Sequence, residues 1–109
     1  MAAPRPGKPA RGSQTGRPIM ALLDLLGRRH ALRVVWELRG DPLSFRELQA
    51  ACGGVSSSVL NERLAELREA EIVAAGAGGF QLTAEGRKLR QAVAPLDSWA
   101  RRWAARVAD

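Results

Sequence analysis

The sequence predicts a mainly α-helical domain carrying one small β-hairpin, and three observations lead there. Apolar residues recur at helical spacing in five segments after residue 17. A short stretch of strand character around Ile72–Leu82 is split by Gly76-Ala77-Gly78-Gly79, and glycines or Asp41-Pro42 separate the helical segments. At 109 residues and 46% apolar composition the chain suits one domain with one core. Its longest unbroken apolar stretch, Ile19–Leu23, is far short of the roughly 18 residues a membrane span needs, so no membrane partner is expected.

Met1–Arg17 holds three prolines and three glycines with scarcely any large apolar side chain, which predicts a disordered arm. The arm is basic: Arg5, Lys8, Arg11 and Arg17 supply four of the six net positive charges, leaving 13 basic against 11 acidic residues over 18–109. The first eighteen residues lack the apolar core of a secretory signal, and a lone Cys52 permits no internal disulfide, so a reducing cytoplasm is the expected compartment. One cysteine and one histidine, His30, leave no basis for a zinc site, and no cofactor is expected.

Pro18 suits the first turn of a helix, and Ile19, Leu22, Leu23 and Leu26 follow i, i+3, i+4, i+7 spacing until Gly27, read as a left-handed stop. A second helix carries Ala31, Val34, Val35 and Leu38, thickened by Leu32 and Trp36, which predicts a central, heavily buried element ending at Gly40. Ser44 and Glu47 form an S-x-x-E capping box opening a third helix with Phe45, Leu48 and Ala51 on its inner face. Cys52-Gly53-Gly54-Val55 breaks it, and Ser56-Ser57-Ser58 restarts the chain as a helix to about Ala70, giving helix, tight turn, helix. After the hairpin, Thr83 caps a last helix from 84 to about 108, with Pro95 as a kink or restart.

That order is the one used by winged helix-turn-helix DNA-binding domains, so residues 18–109 are assigned to one such domain. The runs Leu22–His30, Leu43–Leu48, Val55–Leu67 and Leu82–Gly86 together resemble the HxlR-type branch of the MarR-like winged-helix bacterial transcription regulators, over about residues 20–104. The resemblance implies a DNA-binding regulator that dimerises through its terminal helices and needs no catalytic site, and a repressor acting by occlusion of a promoter is expected. It also implies a longer, more polar wing than Gly76–Gly79 and, in many sensors, a cysteine ahead of the first conserved helix, which is missing here.

On the helix from Ser57, Leu60, Leu64 and Leu67 share one side, while Ser58, Asn61, Glu62 and Ala65 face the other. Short polar side chains let a helix approach base edges; Asn pairs bidentately with adenine and Arg with guanine. Ser56, Ser57, Ser58, Asn61, Arg63 and Arg68 are therefore the candidate readers. The bland alternative is that the serines only cap and the arginines only pair with Glu62, Glu66, Glu69 or Glu71. Residues 56–71 hold two arginines against four glutamates, so phosphate attraction must come from elsewhere: Ser44, Arg46, Arg28, Arg29, Arg87, Lys88 and the arm. The last helix places Leu89, Val93, Leu96, Ala100, Trp103 and Val107 on a heptad-like line with Trp99 beside it. Leu96, Trp99, Trp103 and Val107, joined by Ile19, Met20 and Leu23, are the expected homodimer surface.

Cys52 is a candidate redox residue beside the reading helix, weighed against an ordinary buried cysteine. An enzyme is not expected, since His30 has no carboxylate or nucleophile placed beside it, and Gly76–Gly79 opens onto a strand, where a phosphate cradle opens onto a helix. The main alternative to double-stranded DNA binding is a winged-helix protein-interaction module, favoured by the acidic sum over 56–71. Nothing in the chain names an effector ligand.

Overall fold

The computed structural model describes residues 17–108. The arm expected over 1–17, with Arg5, Lys8 and Arg11, lies outside the described residues apart from Arg17. Five helices and two strands follow in the predicted order: α1 Pro18–Leu26, α2 Ala31–Glu37, α3 Phe45–Ala51, α4 Ser57–Glu69, β1 Val73–Gly76, β2 Gly79–Leu82 and α5 Ala84–Val107.

Local sequence chemistry sets most boundaries. Pro18 occupies the first turn of α1, where its missing N–H has no partner to lose. Ser44 caps α3 through the full capping box: its hydroxyl accepts from Glu47 N–H at 3.1 Å and its own N–H donates to Glu47 Oε1 at 2.8 Å. Those bonds, the backbone donor first, hold the Glu47 carboxyl below its ordinary pKa. The cap therefore favours the fold above the ordinary glutamate range and loses that contribution as pH falls through the depressed value. Ser56 caps α4 by accepting from Val59 N–H, and Thr83 caps α5 by accepting from Gly86 N–H at 2.9 Å.

α2 is the hub. It packs against α1, α3, α4 and α5, and Val34, Val35 and Leu38 are nearly sealed from water with Leu48, Leu60 and Leu67. Leu32 and Trp36 do not thicken its buried stripe: Leu32 is exposed and Trp36 half-buried, because both turn toward α5 away from the α3 and α4 side. Gly27 is not left-handed either; its φ is −76° and the left-handed step falls at His30, φ 69°. Glycine at 27 answers a steric demand, since a Cβ there would stand 2.8 Å from the Leu23 carbonyl oxygen.

The hairpin is a two-strand antiparallel sheet with Val73 opposite Leu82 and Gly76 opposite Gly79, so Ala77-Gly78 alone forms the turn. Ile72, expected as the first strand residue, precedes β1. The segment before α3 joins the sheet edge: Leu43 and Phe80 exchange backbone hydrogen bonds at 3.0 and 2.7 Å. This bridge ties the start of the helix-turn-helix to the wing. α5 runs helical through Pro95 without a restart, although Pro95 cannot donate to the carbonyl of Gln91.

Candidate nucleic-acid interface

Phe45–Ala51 and Ser57–Glu69 are the two helices of a helix-turn-helix, joined by Cys52–Ser56. Gly53 and Gly54 both have φ near +78° (79° and 77°), a backbone state that side-chained residues adopt only under strain, so the tight turn depends on both. Gln49 braces the turn from α3: its amide donates to the Val55 carbonyl at 2.8 Å and to Ser57 Oγ at 3.3 Å. From α2, the Arg33 guanidinium donates to the Ala51 carbonyl at 2.6 Å, satisfying a free acceptor at the end of α3. Neither brace was legible in the sequence, because each depends on which helix faces meet.

Leu60, Leu64 and Leu67 anchor α4 in the core. Its opposite face exposes Ser58, Asn61, Glu62 and Ala65, as the helical spacing predicts, and Ser57 at the start of the helix and Arg68 on its flank are exposed as well. Ser56 is also exposed and its hydroxyl sits 3.5 Å from that of Ser58. Ser44 and Arg46 are exposed at the start of α3, and Arg29 at the approach to α2.

Arg28 and Arg63 lie elsewhere, and their expected place in the groove-facing set is corrected here. Both guanidiniums are bound to the buried carboxylate of Glu66, Arg28 to Oε2 and Arg63 to Oε1. Arg28 also lies 3.6 Å from Asp24 on α1. Charges removed from water need such partners, and a guanidinium already committed to a buried carboxylate is not presented to phosphates or base edges. The alternative pairing with Glu66 is thus the one realised for Arg63, whereas Arg68 stays on the exposed face.

Cys52 closes α3 as a buried residue, and burial pushes its thiol pKa up, with the Arg33 charge opposing weakly. Both features oppose thiolate chemistry. Iodoacetamide at pH 7 should therefore label Cys52 at least about tenfold more slowly than a free cysteine, and urea should restore the ordinary rate; fast labelling of the folded protein would show the thiol to be accessible.

At the other end of the molecule, Ile19, Leu23, Leu96, Trp99, Trp103 and Val107 are all more than half exposed, and Met20 is half-buried. Trp99 and Trp103 stack with ring centroids 5.8 Å apart, and Arg102 and Arg106 flank them. Between α2 and α5 lies an apolar groove of about 370 Å³ lined by Leu32, Trp36, Val93 and Leu96, with Arg33 and Asp97 at its margin.

A helix-turn-helix with its wing and a long terminal helix is now in place, and the family model for the HxlR-like helix-turn-helix matches residues 25–108. The chain belongs to the HxlR-like helix-turn-helix family. Members are DNA-binding transcription regulators and not enzymes. Solved structures agree. The quinone-bound YodB of B. subtilis is 28% identical with a TM-score of 0.71, over 77% of this chain and 96% of that one. The diamide-treated YodB is likewise 28% identical, with a TM-score of 0.64 over 78% and 92%. A possible HxlR family transcriptional factor from Thermoplasma volcanium GSS1, 23% identical, shares the fold with a TM-score of 0.69 over 79% and 84%. Among curated proteins none is significantly similar in sequence. Among the described residues no helix is long and apolar enough to cross a membrane.

Proposed function

We propose that this HxlR-family regulator acts as a homodimeric, sequence-reading DNA-binding protein that represses by occupying a pseudo-palindromic operator. The observation that carries this reading is the set of exposed polar side chains on α4, Ser57, Ser58, Asn61 and Arg68, on a helix whose leucine face is locked in the core. Asn61 pairs with a base edge, Ser57 and Ser58 allow close approach, and Ser44, Ser56, Arg29, Arg46 and Arg68 bind the backbone. The turn of the wing, Ala77-Gly78, carries no side chain long or polar enough to read a minor groove, so the basic arm supplies that contact with Arg5, Lys8, Arg11 and Arg17. Two protomers joined through α1 and α5 set their reading helices roughly 34 Å apart, in successive major grooves.

Duplexes selected from a random pool test the reading. Affinity for the selected duplex should fall steeply with salt, and deleting residues 1–17 should flatten the slope. Asn61→Ala should cost on the order of 1–3 kcal/mol, or roughly 5- to 150-fold, at one position in each half-site, while unrelated duplexes bind as before. A protein-interaction module is the other outcome: no duplex enriched over the pool and no salt slope would establish it.

A further inference from the structure

We infer that Glu66 is a positioning residue for base reading, setting the rotation of α4 through the buried ion network Asp24, Arg28, Glu66 and Arg63. The inference rests on the proposal that α4 reads DNA. Glu66 is 5% exposed, the one buried charged residue on a helix whose other buried side chains are leucines. Leucine contacts are non-directional and tolerate a helix turning in its seat, whereas the Arg28 guanidinium, bound from outside α4, ties the Glu66 carboxylate to one direction, and Arg63 holds that carboxylate in place on the helix. The link is long-range: Arg28, 38 residues earlier in the chain, holds Oε2 from the corner between α1 and α2, and Arg63 of α4 itself holds Oε1. Asp24 on α1 anchors Arg28 in turn.

Asn61 lies five residues before Glu66, about 140° around the helix, so the network bears on a different side of α4 from Asn61. A turn of α4 by about 20° would carry a side-chain tip near 6 Å from the axis through roughly 2 Å, enough to break a bidentate base contact. Phosphate contacts made by long arginines follow such a shift easily. Loss of the network therefore removes sequence preference before it removes affinity for DNA in general.

The test compares wild type, Glu66→Gln and Arg28→Lys, each checked for folding by circular dichroism, on the selected duplex and on a scrambled duplex across a salt series. Arg28→Lys keeps the charge but lacks the fork needed to hold Asp24 and Glu66 together, so it decides the matter where Glu66→Gln fails to fold. The expected result is a drop of about tenfold or more in the ratio of selected to scrambled affinity, with an unchanged salt slope and unchanged scrambled binding. A full ratio in the folded variants, or equal loss on both duplexes, overturns the positioning role. A wild type without any preferred duplex overturns the DNA-reading proposal itself, a result distinct from either.

Discussion

Replacing Gly86 with alanine should destabilise the domain by about 3 kcal/mol or more, lowering the melting temperature by more than about 10 °C. Gly86 lies in the first turn of α5, and a Cβ there would stand 2.1 Å from the Ile72 carbonyl oxygen and 3.2 Å from Leu82 Cβ. The clash is with backbone, which has no rotamer to escape into. It falls where Thr83 has already fixed the helix start: the Thr83 N–H donates to the Ile72 carbonyl at 2.9 Å, and its hydroxyl donates to that of Glu71 at 2.6 Å. Relief would require α5 to lift from the wing and break those bonds. Gly40→Ala is the matched control, since nothing stands within 4 Å of its added Cβ and it should change stability by no more than about 0.5 kcal/mol. Similar melting of Gly86→Ala and wild type would show that α5 does not approach Ile72 this closely.

The second large effect concerns assembly. Replacing both Trp99 and Trp103 with serine should yield a folded monomer at micromolar concentration and weaken binding to a full operator by at least about 100-fold. Each half-exposed indole offers on the order of 100 Å² to a partner, or about 2.5 kcal/mol at roughly 25 cal/mol per Å². In the proposed two-fold contact, four indoles would contribute about 10 kcal/mol, comparable with the cost of association. The fold should survive, because neither indole belongs to the buried core. Sedimentation and circular dichroism read the two expectations separately, and a dimer persisting without the indoles would move the interface elsewhere.

Much of the fold was legible because its signals are local. The spacing of Leu60, Leu64 and Leu67, the capping box at Ser44 and Glu47, and the glycines of the wing each act within a few residues, and α3, α4 and the hairpin formed at those places, although Gly76 and Gly79 pair within the strands. The exposed face of α4 followed from the same periodicity, so Ser58 and Asn61 could be nominated without any knowledge of packing. Leu43 was less legible: a single bridge to Phe80 is a strand partner too short to show an alternating pattern.

Charges divide the two levels most clearly. The sequence alone determined that residues 56–71 are acidic on balance and that arginines surround them, and it determined the helices those residues occupy. Only the tertiary structure decided that Arg28 and Arg63 turn inward to Glu66 while Arg68 stays outside. The reason is physical: helix formation depends on neighbours three and four residues apart, but the fate of an arginine depends on which carboxylate the folded chain brings beside it and on how much water is left there.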